Sequence, residues 1–360
     1  MRASNHDLPA LRSDVPVEIY VMGPLDRPPL FEKDAYSYFV TEDREMGSVI
    51  TTVTANSNDS LSYRIVPGNR PGANSPPVFG MDDSGTIKII GTLDRESVEK
   101  FELNVRAETR ASPGLVAHTT VVVHIQDVND NSPKFVTNHY IASVAENGAI
   151  GEKVVKLEAH DLDAGPNGEV TYELAARDAK SPNLFSVDSL TGWITSAASF
   201  DREAKSEYEF DVIAVDRGSP NRLSSTAVVT VRIIDQNDGA PAFTQGSYSG
   251  AVNEDALPGT IILLVTALDP DQEPNNVLTF HISEGDPLGQ FNIRRTGEIY
   301  VNKELDRELK PTYDLVVLAT DGTFVSSARV SITILDANDN APVCEQVRAV
   351  WHLFCLFLLS

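Results

Sequence analysis

One short acidic pattern recurs three times along the chain and limits its fold more than any other feature. The pattern reads DVNDNSP from Asp127, DQNDGAP from Asp235 and DANDNAP from Asp336, so its period is roughly 105 residues. Self-similarity at this spacing predicts several similar domains in a row, because 360 residues exceed what one ordinary core holds.

Four other motifs return in the same order within the periods. They are a Glu between polar neighbours (Glu42, Glu146, Glu254), an Asp-Arg-Glu turn (from Asp94, Asp201, Asp306), an Asp-x-Asp pair (from Asp161, Asp269) and an Ala-x-Asp sequence (ending at Asp216, Asp321). The shared order and spacing of these motifs indicate one common fold for the periods.

The hydrophobic pattern of each period predicts β-structure. Runs rich in β-branched residues, HTTVVVHIQD, TAVVTVRIID and SARVSITILD, lead directly into the acidic patterns. Short strands also flank a Thr-Gly turn in FSVDSLTGWITS and in FNIRRTGEIYV, and no long amphipathic helix is indicated. About seven short strands per period predict an all-β fold of tandem seven-stranded Greek-key β-sandwiches.

The acidic pattern is interpreted as the linker between sandwiches, because it ends one period and a Pro and a Phe open the next. The predicted repeats are residues 31–131, 132–239 and 240–340. Residues 1–30 are interpreted as the remnant of an upstream repeat with a degenerate linker. Residues 341–360 are interpreted as a short tail that matches no repeat.

The two ends of the chain predict an internal fragment of a longer protein. The start, MRASNHDLPALRSD, lacks the apolar stretch of a signal peptide. The end, VWHLFCLFLLS, is apolar but has about half of the ~20 residues that a membrane-spanning helix needs. Both Cys residues, Cys344 and Cys355, lie near this end, which excludes a disulfide framework for the repeats.

Acidic residues dominate the charge of the chain. Its 52 acidic and 29 basic residues give a formal net charge of −23, which argues against nucleic acid and favours cations or basic partners. The acids concentrate in the recurring motifs, where we count no Lys or Arg at the matched positions. The predicted topology brings carboxylates together at the first junction (Glu42, Asp94, Glu96, Asp127, Asp130, Asp161, Asp163, Asp216) and at the second (Glu146, Asp201, Glu203, Asp235, Asp238, Asp269, Asp271, Asp321).

Carboxylates so close together repel one another unless a cation neutralises them. Hard oxygen ligands without His or Cys favour calcium over zinc, copper or iron. Calcium takes about six to eight oxygens, and bridging carboxylates can be shared between ions. Each junction is therefore predicted to hold about three calcium ions.

Two alternative interpretations fail. An EF-hand loop needs Gly at its sixth position and Glu at its twelfth, but counting from Asp127 gives Ser132 and Asn138. The loops that start at Asp235 and Asp336 fail in the same way. An enzyme is not indicated, because the Asp-Arg-Glu turn, the acid–base candidate, occurs three times and an active site is rarely triplicated.

The combined motifs resemble the cadherin repeats of extracellular cell-adhesion proteins over about residues 31–345. The resemblance implies sandwiches joined end to end with calcium at each junction. It assigns the upstream ions of the first junction to Glu42, Asp94, Glu96, Asp127, Asp130 and the Val128 carbonyl. It assigns the downstream ion to Asn129, the Asn131 carbonyl, Asp161, Asp163, Asp216 and the Asn167 carbonyl. The second junction follows the same plan, with Gln236, Asn237 and Gly239 in its linker, where Gly239 replaces the usual Asn at a position that acts through its backbone.

The pattern is incomplete before the first repeat and after the third. Asn56 and Asn58 replace the Asp-x-Asp pair of the first repeat and Thr109 replaces its Ala-x-Asp acid, so calcium binding there is expected to be weak or absent. Asn58 also begins an N-glycosylation sequon. The clamp after the third repeat is half-built and is expected to bind one or two ions loosely, through Glu254, Asp306, Glu308, Asp336 and Asp339.

The resemblance implies calcium-dependent cell–cell adhesion, with another cadherin ectodomain as a homophilic or heterophilic partner. It places the parent protein in the plasma membrane with the repeats on the extracellular side, among large Fat-like, protocadherin-like or invertebrate members. The alternative is a calcium-rigidified spacer or heterophilic receptor segment without its own adhesive surface. The alternative stays open because every recognised motif lies at a junction and none on an exposed face.

Overall fold

The computed structural model describes residues 2–4, 12–14, 27–70, 72–111, 114–175 and 184–340. Within these ranges the secondary structure is almost entirely strand, with one 3-10 turn at Gly165–Gly168. The chain divides into two compact units. The first comprises Met1–Ala142, Ile150–Ala198 and Glu209–Val231, and the second comprises Ser143–Ala149, Ser199–Tyr208 and Arg232–Ser360.

The first repeat follows a short antiparallel pair, β1 (Arg2–Ser4) and β2 (Arg12–Asp14). Its strands are β3 (Leu30–Phe31), β4 (Ala35–Thr41), β5 (Val49–Thr52), β6 (Ala55–Asn56), β7 (Leu61–Val66), β8 (Phe79–Met81), β9 (Thr86–Ile89), β10 (Lys100–Thr109) and β11 (Val116–Gln126). One sheet has the order β4-β11-β10-β7 and the other β5-β9-β8, while β3 pairs with β6. The first and last strands of the larger sheet, β4 and β11, pair in parallel.

The second repeat has the same strand orders. Its strands are β12 (Lys134–Phe135), β13 (His139–Ala145), β14 (Lys153–Lys156), β15 (Ala159–His160), β16 (Thr171–Leu174), β17 (Phe185–Val187), β18 (Trp193–Ser196), β19 (Glu207–Val215) and β20 (Ser224–Ile234). They form sheets β13-β20-β19-β16 and β14-β18-β17 and the pair β12-β15.

The third repeat repeats the plan once more. Its strands are β21 (Ala242–Phe243), β22 (Ser247–Asn253), β23 (Ile261–Leu264), β24 (Ala267–Leu268), β25 (Thr279–Glu284), β26 (Phe291–Ile293), β27 (Glu298–Val301), β28 (Thr312–Thr320) and β29 (Val325–Leu335). The sheets are β22-β29-β28-β25 and β23-β27-β26, with the pair β21-β24. Four plus three main strands in each repeat confirm the prediction of seven-stranded sandwiches.

The core of the first repeat is built by strict alternation along its long strands. In β10, Leu103, Val105 and Ala107 are fully buried, while the residues between them face outward. The opposing sheet contributes Ile87 and Ile89, which are also fully buried. Each such branched side chain stabilises the fold by roughly 1.5–3 kcal/mol, so these strands hold the acidic loops at their ends in fixed positions.

The core of the third repeat uses the matching strands. Leu315 and Val317 of β28 pack with Ile332 of β29 and Ile299 of β27, all of them buried. The predicted strands at residues 118–127 and 327–336 correspond to β11 and β29. The interpretations of residues 15–26 and of the tail 341–360 lie outside the described residues.

The Thr-Gly turns between short strands require glycine for steric reasons. Gly192 and Gly297 have φ angles of +73° and +87°, in the left-handed region that residues with a side chain rarely adopt. A Cβ atom would lie 2.6 Å from the Leu157 carbonyl oxygen at Gly192 and 2.1 Å from the Val265 carbonyl oxygen at Gly297. These turns confirm the predicted hairpins of the smaller sheets.

Candidate metal centre

In each repeat, a buried Glu after the first long strand connects three chain segments through backbone hydrogen bonds to its carboxylate. Glu42 accepts the backbone N–H of Val128 at Oε1 over 2.8 Å and that of Arg95 at Oε2 over 2.7 Å. It thereby joins the end of β4, the Asp-Arg-Glu turn and the linker. The same two bonds, of 2.7–2.8 Å, recur from Gln236 and Arg202 to Glu146, and from Ala337 and Arg307 to Glu254.

Two carboxylate triads meet at the first junction, which lies within the first unit. One oxygen each from Glu42, Asp94 and Glu96 lie within 4.8 Å of one another, and so do oxygens from Glu96, Asp127 and Asp163. Glu96 belongs to both triads. Burial and the charge of Glu42 raise the pKa of Glu96, whereas the Ser97 hydroxyl lowers the pKa of Asp94.

The second junction, within the second unit, has the matching pair of triads. Glu146, Asp201 and Glu203 form one, and Glu203, Asp238 and Asp271 form the other, again within 4.8 Å. Burial raises the pKa of Glu203, with the charge of Glu146 adding to it. Burial and the charges of Asp269 and Asp235 raise the pKa of Asp271. Crowded carboxylates with raised pKa values mark a place where negative charge is in excess.

The first Asp of each linker holds the Asp-x-Asp loop of the following repeat. Asp127 accepts the Ala164 backbone N–H and the Asn167 side-chain amide, both over 2.8 Å. Asp235 accepts the equivalent bonds from Gln272 over 3.0 Å and from Asn275 over 2.7 Å. The Asn167 side chain thus fixes its loop to the linker, and the role of its carbonyl as a calcium ligand stays a prediction. Sequence analysis missed Asn275, although a Pro precedes the Asn in both loops.

Other linker residues also contact the Asp-x-Asp pair. Asn131 donates its backbone N–H to Asp163 over 3.1 Å and its side-chain amide to the same carboxylate over 2.8 Å. Gly239 donates its backbone N–H to Asp271 over 3.3 Å. A Cβ atom on Gly239 would lie 2.6 Å from Asp271 Oδ1 and 2.5 Å from Pro270 Cγ, so the absence of a side chain is what permits this approach.

A third group of oxygens lies on the downstream side of each linker. In the first junction Asn129 Oδ1 and Asp161 Oδ2 are buried and have no hydrogen-bond partner among the described residues. Burial and the charges of Asp163 and Asp216 raise the pKa of Asp161. The matching atoms of the second junction that are buried without such a partner in the described ranges are Asn237 Oδ1, Asp269 Oδ2 and Asp321 Oδ2. Buried acceptors without a donor are costly, which fits a cation ligand at this place.

Asp216 and Asp130 complete the first junction in different ways. Asp216 is fully buried and accepts the backbone N–H groups of Gly218 and Leu223, each over 2.9 Å. Asp130 lies at the exposed edge and accepts the Asn131 amide over 2.8 Å. Desolvation and the charges of Glu42 and Asp163 raise the pKa of Asp130.

An arginine lies inside each junction, which corrects the count that found no basic residue at the matched positions. Arg95 Nε lies 2.5 Å from Asp127 Oδ1, and its Nη2 donates to Glu96 over 2.5 Å and to the Leu162 carbonyl over 2.7 Å. Arg202 makes the same contacts with Asp235, Glu203 and the Pro270 carbonyl. The signal was present in the sequence, because the Arg recurs within every Asp-Arg-Glu turn.

The third clamp has one triad, formed by Glu254, Glu308 and Asp339 within 4.8 Å. Backbone N–H groups of Ala337 and Arg307 lower the pKa of Glu254. Asp306 accepts the Leu309 N–H over 2.8 Å, and Asp336 pairs with Arg307. Neither of these two acids of the predicted set belongs to the triad.

The degenerate positions of the first repeat have local partners. Thr109 is buried, and its hydroxyl oxygen accepts the Leu115 backbone N–H over 2.9 Å, as Asp216 accepts that of Leu223. Asn58 is exposed in the loop after β6.

Comparison with known proteins decides the family. The family model for the cadherin domain matches residues 36–126, 140–234 and 248–335. The chain belongs to the cadherin family. Cadherin domains generally bind calcium at repeat junctions, and the family is one of adhesion proteins rather than enzymes.

Large cadherins are among the most similar relatives. The chain is 37% identical to protocadherin Fat 1 of Homo sapiens over 353 residues, which cover 96% of this chain and 8% of that protein. It is 39% identical to the Fat-like cadherin-related tumor suppressor homolog of Drosophila melanogaster over 348 residues, covering 97% of this chain and 7% of that protein. The chain thus spans less than a tenth of the length of these relatives. Their sequence identity to this chain confirms the Fat-like resemblance.

Solved cadherin ectodomains share the fold. The crystal structure of mouse cadherin-23 EC22-24 matches with a TM-score of 0.68 and 27% identity, over 87% of this chain and all of that one. Protocadherin gamma B2 domains 3–6 match with a TM-score of 0.67 and 28% identity, over 83% of this chain and 75% of that one. In the part of the chain that the structure describes, no helix has the length and apolar character needed to cross a membrane.

Proposed function

We propose that the chain is a calcium-dependent adhesion segment of a cadherin ectodomain, with repeats at residues 31–131, 132–239 and 240–340. The observation that carries this proposal is found at both complete junctions: two carboxylate triads lie beside a group of buried oxygens that have no hydrogen-bond donor among the described residues. A site with this many oxygen ligands and no nitrogen or sulfur ligand suits calcium.

Each complete junction offers three places for calcium. At the first, the triads around Glu96 hold the upstream ions and the oxygens of Asn129 and Asp161 contribute to the downstream one, with Asp216 beside it. At the second, the triads around Glu203 and the oxygens of Asn237, Asp269 and Asp321 take these roles. Bound calcium supplies the positive charge that lets these acids stay ionised together. The protein residues themselves join the upstream sheet ends, the linker and the downstream loop, so ligation stiffens the junction.

We infer that the parent protein is membrane-anchored, that these repeats lie on the extracellular side and that the partner is another cadherin ectodomain, in the first instance an identical one. The relatives named above support the class of protein. A spacer without an adhesive surface remains the second candidate, because the described motifs all serve the junctions.

Calcium titration of the full chain by equilibrium dialysis tests the metal sites. We expect about six ions at the two complete junctions and one or two weaker ones at the third. A variant with Asp238→Asn should lose ions at the second junction, whereas Asp83→Asn, which changes an exposed acid outside the junctions, should bind as the unaltered chain does. Binding of no calcium by the unaltered chain would refute the proposal.

Bead aggregation tests adhesion separately. Beads coated with the full chain should aggregate in millimolar calcium and disperse in EGTA, if the contact is homophilic. Calcium binding without aggregation, on beads that carry only this chain, would favour the spacer or a heterophilic partner.

A further inference from the structure

At the two complete junctions, the arginine of the Asp-Arg-Glu turn contacts both sides. Arg95 pairs with Asp127 of the linker and Glu96 of the upstream repeat, and it donates to the carbonyl of Leu162 in the downstream repeat. Arg202 does the same towards the carbonyl of Pro270 over 2.8 Å. We propose that Arg95 and Arg202 are internal cations that compete with calcium for junction carboxylates and tether adjacent repeats when calcium is scarce. This inference rests on the proposed calcium sites.

The argument for competition is that the arginine and the ion need the same carboxylate groups. Asp127 and Glu96 are two of the three acids in the triad that includes Asp163, and both bind the guanidinium of Arg95 over 2.5 Å. A guanidinium stays charged at any physiological pH and presents planar donors that suit carboxylates. Calcium must therefore displace or rearrange these pairs, which raises the calcium concentration needed to fill the site.

The argument for tethering is the third contact of each guanidinium. Leu162 and Pro270 are the middle residues of the two Asp-x-Asp pairs, and the arginine binds their backbone carbonyls rather than their side chains. The contact is thus independent of which residue occupies the middle position. It links the turn of one repeat directly to the loop of the next without passing through a carboxylate.

Arg307 provides a comparison within the same chain. It pairs with Glu308 and Asp336 as the other arginines pair with their neighbours, but within the described ranges it has no contact with a downstream carbonyl. Its side chain is 36% exposed, against 11% for Arg95 and 9% for Arg202. The downstream loop therefore buries the guanidinium at the complete junctions.

Limited proteolysis of the full chain along a calcium series measures both effects at once. A serine protease that works in EGTA is used, and mass spectrometry reports cleavage separately in the linkers 127–131 and 235–239. For Arg95→Gln we expect the calcium midpoint for protection of the first linker to fall about fivefold, a typical coupling between two ligands. In EGTA the same linker should be cut faster than in the unaltered chain. The second linker serves as an internal reference. Arg202→Gln should produce these changes in the second linker and leave the first linker unaffected.

Two further variants separate the contact from general charge. Arg110→Gln removes one positive charge from an exposed residue that pairs with Asp83, outside the junctions, and it should leave both midpoints unchanged. Arg95→Lys keeps the charge but loses the planar donors, so it should still be cut faster in EGTA. Unchanged midpoints and unchanged cleavage in Arg95→Gln would overturn the inference while leaving the calcium sites intact. Absence of calcium protection in the unaltered chain would instead refute the proposed function.

Discussion

Val128 donates its backbone N–H to the Glu42 carboxylate over 2.8 Å, although 86 residues separate the two along the chain. The bond ties the linker to the sandwich that precedes it. Because Glu42 also accepts the Arg95 N–H, one buried side chain sets the position of two loops whose acids form the triads.

Glu42→Gln should therefore destabilise the first repeat even without calcium. The substitution places an NH₂ donor against one of the two N–H donors and leaves a buried group unsatisfied, at a cost of about 1–3 kcal/mol. Thermal unfolding in EGTA measures the loss. Glu45→Gln, an exposed change nearby, is the control. Equal unfolding temperatures for Glu42→Gln and the unaltered chain in EGTA would show that Glu42 acts through calcium alone.

Asp130→Asn should change stability in opposite directions with and without calcium. The raised pKa of Asp130 shows that its ionised form is disfavoured by desolvation and by Glu42 and Asp163, so a neutral Asn relieves repulsion in EGTA. In calcium the same change removes a proposed ligand, and the first linker should become open to protease. Unfolding temperatures of the variant and the unaltered chain, measured in EGTA and in calcium, give the direction of each change in stability. The same sign in both buffers contradicts the prediction.

In EGTA the folded chain should lose stability as the pH rises above about 4, where its carboxyl groups ionise in the unfolded chain, which is the reverse of ordinary acid denaturation. Glu96, Asp130 and Asp161 at the first junction have pKa values raised above their ordinary values, as do two acids at the second (Glu203, Asp271). A carboxyl group whose pKa is raised in the folded chain stabilises the fold at pH values below its pKa in the unfolded chain. This stabilisation is lost as the pH rises through its pKa in the folded chain.

Carboxyl groups whose pKa values are lowered in the folded chain affect its stability at lower pH. Asp94 and Glu254 contribute stability above their unfolded values and lose it only as the pH falls below about 4. In millimolar calcium the stability should instead rise between pH 5 and 7, because protons compete with calcium for the carboxylates. Unfolding temperatures at several pH values in EGTA and in calcium test both statements. A curve in EGTA that rises steadily from pH 5 to 7 would contradict the first.

Gly239→Ala should weaken the second junction specifically. The added methyl group would overlap Asp271 Oδ1 and the Pro270 ring. Overpacking of this kind typically destabilises a protein by about 1–3 kcal/mol. Calcium-dependent protection of linker 235–239 should need more calcium, while linker 127–131 is unaffected. Gly246→Ala, where a Cβ atom meets no neighbour within 4 Å, is the matched control.

Asn58 should carry an N-linked glycan when the chain is secreted from eukaryotic cells. Its side chain is exposed, and the loop positions that carry acids in the other repeats carry Asn here. Ser60→Ala removes the sequon but keeps the backbone carbonyl that accepts the Arg110 N–H, so the fold should be unaffected. Intact mass before and after glycosidase treatment reads out the modification. An unmodified Asn58 in the secreted chain would show that the sequon is not used.

The main strands and the acids of the junctions could be predicted because both depend on local patterns. Alternation marks β10, β11, β28 and β29, and acids at fixed offsets mark the triads. The parallel pairing of β4 with β11 could not be read in this way, because no local pattern specifies a partner about 85 residues away. The two-residue strands, such as β3 and β6, are too short to show a period.

The roles of individual atoms in the junctions also depend on tertiary structure. A count of carboxylates gives the sign of the charge but ignores Arg95, whose guanidinium lies among them. The sequence pattern suggested a role for the Asn167 carbonyl, and the three-dimensional arrangement adds the hydrogen bond from its side-chain amide to Asp127. Which oxygens remain without a donor, such as Asp161 Oδ2, depends on every neighbour at once.

The parallel pair in the first and third repeats determines how each of these sandwiches responds to tension. Residues 35–41 of β4 lie beside 120–126 of β11, and residues 247–253 of β22 lie beside 329–335 of β29. The chain enters one strand and leaves the other at opposite ends of the pair. A pull on the two ends of a repeat therefore loads the interstrand hydrogen bonds in shear and together, instead of opening them one after another. A chain of such repeats can transmit force along its length while its sheets stay closed.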